Sequence, residues 1–546
     1  MFYRDRIFAY FRQRDRGWIL SLFAAVCLVY LPFLGNPFIF DDLNFFTGDV
    51  PQHYAHALFK FDMRWLPYAS LGWTYAIFSA VYTHFYHLGN LLLHAATSIA
   101  LFYLLRQLTA AAIPDSKSVP SLVWGAWFGA LIFAVHPVAV YATGYVIQRS
   151  ILTATLFVML MQLAYLRGLL TGQRRWLALT VAAYFLAVFS KEHSVLAPLL
   201  LAAETVLLRA EIKTSARSLW ITWGALFAVA VQIVLLAKGV IGTPYETGAA
   251  ALFEQQDIVA STPMLHLLSM MTQAGLFFKY LLLLIVPNPA WMSIDMREPF
   301  VSSLAEWQGW LGALGFMAYG AWGFWLLLRP RWAGLVGLAL LYPWLLFVLE
   351  FSSIRVQEVF VLYRSYLWLP GLMLFIPVLL AKWPGKRSLL ILGVTVLLLL
   401  PLAWNRLWVF GDNYRLWNDA VRLLTDERAA GAGRIFYNRG ISASPDKKPG
   451  EAIADLERAV KLSPQLAPVH FVLGVEYFNA LRYQDAMAQF DETIKLNPGN
   501  GQAYYAKGIT LKRLHDDKQA IKYMEKSCEL KNTAACMILG LGKSNK

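Results

Sequence analysis

Long apolar runs alternate with short polar loops throughout residues 1–404. A helix needs about 20 apolar residues to cross the hydrocarbon layer of a membrane. Eleven runs approach that length and are predicted to be membrane spans: residues 17–35, 85–105, 121–136, 149–167, 176–190, 193–208, 218–237, 305–328, 332–350, 366–382 and 387–404. A further run, residues 266–286, is predicted to be an embedded or re-entrant helix on the outer side, with a twelfth span as the alternative. The pattern therefore predicts an α-helical integral membrane protein with several spans.

The basic residues orient these spans, because Lys and Arg are retained in cytoplasmic loops. They cluster before the first span and in four later loops: residues 1–17, 167–175, 209–217, 329–331 and 382–387. With eleven spans, the N-terminus and all four loops lie on the cytoplasmic side. Counting residues 266–286 as a crossing would move 329–331 to the opposite side, which is why this run is predicted not to cross. Everything after residue 404 then lies outside the cytoplasm.

A 34-residue repeat appears where the long apolar runs end. Its anchors recur in register: Gly440, Gly474 and Gly508; Ala452, Ala486 and Ala520; Pro464 and Pro498. A small residue in each helix and a proline after each pair are typical of tetratricopeptide repeats. The sequence therefore predicts a membrane domain at 1–404, a connector at 405–429 and a helical repeat solenoid at 430–546. Such a solenoid is expected to bind an acceptor protein or an assembly partner, and a purely structural cap is the alternative.

The two C-terminal cysteines lie close together in the last repeat. Cys528 and Cys536 are too far apart for a disulfide if they share one helix, because eight residues of helix span more than a disulfide can bridge. The intervening sequence ELKNTA could supply a turn. The pairing is therefore left open at this point.

Composition supports a membrane location. The chain is 58% hydrophobic and 15% charged, whereas soluble domains are nearer half and a quarter. The net charge of +14 is spread over short loops. No basic stripe interleaved with exposed aromatic residues occurs in a polar segment, so nucleic-acid binding is not expected.

Ionisable and polar residues recur at the outer ends of many predicted spans. The group comprises Asp41, Asp42, Arg64, Asn90, His94, His136, Arg149, Lys191, Glu192, Asp295, Arg355 and Arg364. Each alone has an ordinary explanation, such as a span end, a local ion pair or a contact with lipid phosphate. Together they place acidic and basic groups from distant helices on one face, where charge is costly without a function.

This set of side chains suits transfer from a phosphate-activated donor. A carboxylate can take a proton from an acceptor hydroxyl, and cations can stabilise the departing phosphate. Because no nucleotide pool exists outside the cytoplasm, a lipid-linked donor is expected. Asp41 and Asp42 are adjacent and point in different directions, so one of them is expected to act as the base. Asp41 is favoured, and the other aspartate would cap a helix, bind a cation or hold a basic neighbour.

The order of motifs resembles that of the GT-C superfamily of polytopic glycosyltransferases. The segments are NPFIFDDLNFF, RWLPYASLGWTYAIF, HFYHLGNLLLHA, HPVAVYATGYVIQRS, SKEHSVLAPLLL, YRSYLWLP and NRLWVFGDNYRLWNDAVRLL, followed by the repeats. Within the superfamily the chain resembles the transmembrane and tetratricopeptide-repeat O-mannosyltransferases and their bacterial relatives. That resemblance implies a polyprenyl-phosphate sugar donor, inversion at the anomeric carbon and a catalytic role for Asp41 and Asp42.

The sequence differs from the pattern of this family at several positions, and the resemblance also implies a cellular compartment. Val140 and Tyr141 replace a threonine–glutamate pair, and Gln148–Arg149 replaces a glycine–arginine pair, so the sugar is left open. The short repeat array resembles that of bacterial members, which implies the inner membrane with catalysis and repeats on the periplasmic side. Some relatives place a divalent cation near the first-loop acid. No dense cluster of metal ligands requires one here, so metal dependence is also left open.

Three functions are compatible with these residues. The first is sugar transfer to a hydroxyl of an exported acceptor protein, with membrane lipid around the spans. The second is modification or polymerisation of a lipid-linked glycan or lipopolysaccharide. The third is a non-enzymatic membrane scaffold that works through its repeats.

Overall fold

The structure is a computed structural model that describes residues 2–540 apart from 57–61, 80–81, 114–118, 238, 240, 246–248, 256–257 and 444–448. In these residues nearly all regular structure is helical, and one isolated β-bridge joins Pro244 to Ile354. The chain forms two compact units. The first comprises Met1–Ala250, Ile258–Ile294 and Pro299–Asp412, and the second comprises Ala251–Asp257, Asp295–Glu298 and Asn413–Lys546.

Eighteen α-helices precede Asn413 in the described residues. They are α1 Phe2–Tyr30, α2 Asp41–Thr47, α3 Val50–Ala55, α4 Trp65–Phe78, α5 Thr83–Ala112, α6 Val119–Val135, α7 Pro137–Thr143, α8 Arg149–Thr171, α9 Arg174–Val188, α10 Pro198–Leu207, α11 Ala216–Leu236, α12 Ala249–Gln255, α13 Thr262–Ile285, α14 Trp307–Leu327, α15 Trp332–Phe347, α16 Leu369–Leu372, α17 Phe375–Lys382 and α18 Lys386–Val409. Short 3₁₀ helices lie at Leu31–Phe33, Val146–Gln148, Glu192–Leu196, Pro289–Trp291, Val348–Ser352 and Leu362–Leu367.

Eight helical segments of the described residues are long and apolar enough to cross a membrane. They are Asp15–Phe33, Thr83–Ala112, Val146–Thr171, Ala216–Leu236, Thr262–Ile285, Trp307–Leu327, Trp332–Ser352 and Lys386–Val409. Seven match predicted spans, and the pair Pro120–Val135 and Pro137–Thr143, bent by 59°, would add another. The predicted spans 176–190, 193–208 and 366–382 fall on shorter helices. The number of crossings therefore stays a prediction.

The basic loops of the first unit meet at one end of the helix bundle. Two contacts join three of them: the Lys213 N–H donates to the Leu169 carbonyl at 2.9 Å, and Arg209 donates to the Leu328 carbonyl at 3.0 Å. The segments 167–175, 209–217 and 329–331 thus lie at the same end, as the orientation inferred from their charge requires. The membrane orientation itself stays a prediction.

Helix α13 is long enough to cross a membrane, although the sequence predicted an embedded or re-entrant helix. Its side chains and backbone contact three other segments of the first unit. His266 Nε2 lies 2.7 Å from the Phe351 carbonyl, and Gln273 donates to the Val359 carbonyl at 2.8 Å. Near the other end, His136 Nε2 lies 3.1 Å from the Leu284 carbonyl. Whether α13 crosses the membrane or is embedded in it therefore stays a prediction.

The second unit contains eight α-helices in its described C-terminal part. They are α19 Asn413–Arg422, α20 Ala432–Ala443, α21 Pro449–Leu462, α22 Ala467–Asn479, α23 Tyr483–Leu496, α24 Gly501–Arg513, α25 Asp517–Glu529 and α26 Thr533–Ile538. Helices α20 to α25 form three successive hairpins, as the 34-residue repeat predicts. Residues 413–429 of the predicted connector lie in this unit, while 405–412 complete the first unit.

The recurring glycines let the two helices of each hairpin approach closely. A Cβ added at Gly440, Gly474 or Gly508 would lie 2.9, 2.6 or 2.9 Å from the side chain of Leu456, Phe490 or Met524, respectively. Each such pair is sixteen residues apart, so the same close approach repeats in every hairpin. The repeat geometry predicted from glycine spacing is confirmed.

A turn separates the two C-terminal cysteines. Lys531 lies between α25 and α26 with a φ of 64°, and this reversal brings α26 back against α25. Cys528 and Cys536 are joined by a disulfide with their Cα atoms 4.8 Å apart. The structure thus contains the turn that the pairing required, and the cross-link fixes the last helix of the solenoid.

We expect Gly474→Ala to loosen the second hairpin. The added methyl group would force the Phe490 ring or one helix to move, at a cost of about 1–3 kcal/mol. Hydrogen–deuterium exchange of the full chain should show faster exchange across residues 467–496. Gly450→Ala is the matched control, because a Cβ at Gly450 meets nothing within 4 Å. Equal changes in both variants would contradict the close-approach explanation.

Candidate functional site

Asp42 is a buried anchor of the first outer loop. Its carboxylate is 0% exposed. It accepts hydrogen bonds from the backbone N–H groups of Ile147 at 2.7 Å, Ile39 at 3.2 Å and Val146 at 3.3 Å. Burial raises the pKa of Asp42 to about 7, although these N–H groups act in the opposite direction. The side chain is therefore occupied in joining residues 39–42 to the loop before α8.

Asp41 starts α2 and is only half-buried. Its N–H donates to the hydroxyl of Tyr145 at 3.0 Å, and the same hydroxyl hydrogen-bonds the Asp41 side chain. Burial and the two aspartates raise the pKa of Tyr145 well above its usual value, so the phenol keeps its proton. The preceding residue, Phe40, has a φ of 49°, a conformation that non-glycine residues adopt only when their surroundings enforce it. Of the two aspartates, Asp41 is thus the one presented at the surface of the site.

The aromatic rings of Tyr363 and Tyr145 connect Lys191 to Asp41. Its Nζ lies 5.5 Å from the centre of the Tyr363 ring, and that ring lies 6.3 Å from the ring of Tyr145. Asp41 contributes to the electrostatic field at Lys191. Burial, followed by the field of Arg64, lowers the pKa of Lys191 to about 7. The structure therefore brings these two sequence-predicted residues together.

Glu192 and Arg64 form an ion pair between two outer loops. The Arg64 guanidinium makes two bonds to the carboxylate, including Nε to Oε2 at 3.0 Å. Burial would raise the pKa of Glu192, but Arg64 and neighbouring groups hold it well below its usual range. Glu192 in turn raises the pKa of Arg64 well above its usual value. Both side chains stay charged, and the pair ties the start of α4 to the 3₁₀ helix Glu192–Leu196.

Glu350 is the buried acid that sequence reasoning missed. Its Oε2 lies 3.0 Å from Arg364 Nη1 and 3.4 Å from Arg355 Nη2, and its side chain is 1% exposed. Glu350 lies fourteen residues before Arg364 along the chain, and the two side chains meet across the turn that separates them. A charge at the outer end of the predicted span 332–350, like Asp41 after the first span, was the signal that could have identified it.

The two arginines retain donors that no described residue uses. Arg355 Nε and Nη1 and Arg364 Nε are buried without a hydrogen-bond partner in the described part of the chain. The Arg355 guanidinium also stacks 5.0 Å from the centre of the Tyr245 ring. Buried polar groups normally have partners, so these donors point to an anionic ligand.

The group of charges around this site is positive overall below about pH 7, where Lys191 is protonated. Arg64, Lys191, Arg355 and Arg364 supply four cations, against the three carboxylates of Asp41, Glu192 and Glu350. This excess favours a ligand with one negative charge. Because the groups come from separate helices and loops, their combination is a property of the tertiary structure.

Arg149 and Asn90 have structural partners close to Asp42. Arg149 donates to Asn90 Oδ1 at 2.9 Å, to Tyr86 O at 2.8 Å and to Ser70 Oγ at 3.2 Å. The Asn90 amide donates to the carbonyls of the loop that precedes α8. Arg149 also interacts electrostatically with Asp42. These contacts assign both residues to shaping the loop that presents Tyr145.

His94 and His136 have both ring nitrogens occupied within the core. His94 Nδ1 lies 2.7 Å from the Tyr366 hydroxyl and Nε2 lies 3.0 Å from the Ala134 carbonyl. His136 Nδ1 accepts from the Val138 N–H at 3.2 Å, which caps α7. Because a carbonyl can only accept, Nε2 carries the hydrogen in both rings. The structure does not bring these two histidines to Asp41.

Asp295 was grouped with the outer-face charges by sequence, but it lies in the second compact unit. Its Oδ2 lies 2.6 Å from Arg297 Nη2 and 3.0 Å from Arg434 Nη2. The buried carboxylate thus joins the segment Asp295–Glu298 to α20. Its ion pairs with Arg297 and Arg434 explain Asp295 as a structural residue.

The donor set does not favour a tightly held divalent cation. Among the described residues, no group of three or more His, Cys, Asp or Glu side chains is arranged to hold a metal. The oxygens of Asp42 are already used by three backbone N–H groups. We therefore derive no chemical step that uses a metal.

A cavity of about 1030 Å³ lies between the second and third hairpins of the solenoid. Phe471, Phe478 and Tyr505 supply aromatic walls, and Asn479 and Asn532 supply amides. This combination can bind an extended chain, since aromatic surface gives contact area and amides bond to peptide groups.

Comparison with known proteins identifies the repeats. Residues 501–533 match the tetratricopeptide repeat family model. Solved structures similar to the chain include that titled "Crystal structure of MamA", with a TM-score of 0.21, 23% identity, and coverage of 29% of this chain and 85% of that one. Another is YrrB, described as a TPR protein with an unusual peptide-binding site, with a TM-score of 0.23, 20% identity, and coverage of 30% and 87%. No curated protein matches the chain. These likenesses concern the repeat fold alone.

We expect Glu350→Gln to destabilise the first unit. The substitution leaves Arg355 and Arg364 buried without their carboxylate, and breaking a buried pair in this way costs about 3–5 kcal/mol. Thermal unfolding of the full chain in detergent, followed by tryptophan fluorescence, should show a clear fall in Tm. Asp49→Asn, at an exposed acid, is the control. A Tm shift no larger than that of the control would contradict the proposed charge balance.

Proposed function

We propose that this protein is a membrane glycosyltransferase that moves a sugar from a polyprenyl-phosphate donor to a hydroxyl of an exported acceptor protein. The observation that carries the proposal is the half-buried Asp41 carboxylate near Lys191, beside buried arginines with unused donors. An acid presented next to a cationic pocket suits proton abstraction coupled to departure of a phosphate.

The step needs one bond made and one broken at the anomeric carbon. Asp41 takes the proton of the acceptor hydroxyl while that oxygen bonds to the anomeric carbon. The bond from that carbon to the phosphate oxygen breaks, and its electron pair leaves with the polyprenyl phosphate. Attack opposite the leaving group inverts the configuration. Tyr145 positions Asp41 through its hydrogen bonds, and Asp42 holds the loop.

The cations have a defined task in this reaction. Lys191, Arg355 and Arg364 would bind the donor phosphodiester and stabilise the second charge that develops as the phosphate leaves. The planar fork of an arginine matches phosphate oxygens. The apolar helices would hold the polyprenyl tail in the lipid. The motif order that resembles GT-C glycosyltransferases supports this assignment.

The solenoid would recruit the acceptor. Its aromatic and amide-lined cavity fits an extended polypeptide, and the orientation inferred from the basic loops places it outside the cytoplasm with Asp41. Together with the resemblance to bacterial members, this orientation implies an inner membrane and a periplasmic reaction. A lipid-linked glycan remains the alternative acceptor, and the repeats would then bind assembly partners.

We expect Asp41→Asn to abolish transfer. An amide cannot accept the proton, so the rate should fall by about 10²–10⁴-fold. The measurement is the intact mass of exported proteins in cells that express wild-type or variant chain at matched levels. Asp49→Asn, at an exposed acid near the end of the same loop, should leave the added mass unchanged.

Two results would redirect this proposal. Full modification by Asp41→Asn would remove the catalytic role of Asp41. An added mass on lipid or glycan, with unmodified exported proteins, would favour the alternative acceptor. Asp42→Asn should mainly lower stability, because its amide retains only part of the acceptor capacity used by the three N–H groups.

We expect Lys191→Arg to flatten the pH dependence of donor use. Because the pKa of Lys191 is lowered to about 7, its charge is present below this pH and is lost above it. The apparent KM for donor should therefore rise as pH increases through 7, by about tenfold for the loss of one nearby charge. Arginine stays charged, so the variant should lose the part of this rise that Lys191 contributes and show only a smaller one. The same KM profile in both proteins would rule out Lys191 as a phosphate ligand.

A further inference from the structure

His193 lies between two carboxylates that belong to different outer loops. Its Nδ1 lies 3.4 Å from Glu192 Oε1, and its Nε2 lies 3.5 Å from Glu350 Oε1. The imidazole side chain is 11% exposed. Neither ring nitrogen has a well-formed hydrogen bond to any described residue. The ring therefore interacts with its surroundings through these two acids.

Each acid is itself tied to arginine. Glu192 pairs with Arg64, and Glu350 pairs with Arg355 and Arg364. A continuous row of alternating charge thus runs from the loop before α4 to the segment after α15. His193 is its central member.

The protonation state of His193 decides whether its ring can donate to one carboxylate or to both. A neutral imidazole has one N–H, so it can donate to one carboxylate while its lone pair faces the other. An imidazolium has two N–H groups and a positive charge, which suit both acids at once. The charged groups that face His193 are Glu192 and Lys191 on its own segment, Glu350 opposite, and the three arginines behind these acids. The two carboxylates are the nearest of them.

We propose that His193 is a positioning residue whose protonated ring joins Glu192 to Glu350 and so fixes Arg355 and Arg364 for the donor phosphate. This inference rests on the proposed function, because it assumes that these arginines bind phosphate. Loss of the proton releases Glu350 from one side. The arginines it holds then become less ordered, and binding of the anion weakens.

The test measures binding of a defined anion rather than turnover. The probe is farnesyl methyl phosphate, a phosphodiester with a single negative charge. Its second ester removes the ionisation that a phosphate monoester has near about pH 6, so its charge is constant across the range tested, about pH 5 to pH 8. Lys191→Arg serves as the background, because it removes the titration of Lys191 while keeping its charge. The full chain is placed in lipid nanodiscs, and the probe Kd is measured across this range with and without His193→Gln.

In Lys191→Arg, the probe Kd should rise by about fivefold from the acidic to the neutral limit. The double variant Lys191→Arg, His193→Gln should lose most of this rise. Its probe Kd should equal, at every pH, the higher Kd that Lys191→Arg shows at neutral pH. Asp42 also titrates near pH 7, but its contribution is common to both proteins and cancels in the comparison. His87→Gln in the same background is the control, since His87 bonds to Asn36 elsewhere in the core.

Three results separate the inference from the proposed function. Equal pH dependence with and without His193→Gln overturns the role of His193. A flat profile in Lys191→Arg also overturns it, without needing a histidine variant that folds. If the wild-type chain fails to bind the probe at any pH, the proposed phosphate site itself is wrong.

Discussion

A charge buried in an apolar helix bundle must find an opposite charge, and Glu350 meets this constraint for two arginines at once. Arg355 and Arg364 lie in the segment that follows α15, where burial would otherwise be very unfavourable. The carboxylate brings them to one place and leaves some of their N–H groups directed elsewhere. The remaining features of the site depend on this arrangement. Without Glu350, Arg355 and Arg364 would be buried with no carboxylate beside them.

The two adjacent aspartates show how neighbouring residues acquire different tasks. Asp42 points into the protein, where three backbone N–H groups fix its oxygens. Asp41 is half-buried, and its backbone N–H donates to the hydroxyl of Tyr145. The difference arises from the start of α2, where Phe40 adopts a left-handed backbone conformation. One aspartate therefore stabilises the loop, and the other is half-buried and hydrogen-bonded to Tyr145.

Many sequence-predicted site residues come together, but with unequal roles. Asp41, Lys191, Glu192, Arg64, Arg355 and Arg364 lie in one network, whereas Asn90, Arg149, His94 and His136 have partners that explain them structurally. The four look alike in the sequence, because a polar residue near a span end can face either the site or another helix. Glu350 and His193 were missed for a related reason. His193 meets Glu350 more than a hundred residues along the chain, and Glu350 meets Arg355 and Arg364 only because the segment after α15 folds back, so spacing along the chain records neither proximity.

The sequence by itself determined the helical character, the apolar segments and the repeat. The length of a hydrophobic run and a 34-residue glycine spacing are properties of the sequence itself, and they predict membrane helices and helical repeats without knowledge of the fold. The tertiary structure alone decided which acid faces the site, that Asp295 belongs to the second unit, and that Glu350 and His193 connect separate loops. The physical reason is that burial and charge pairing depend on distances in space. A chain of residue types specifies the groups available, but only the packed helices determine which of them meet.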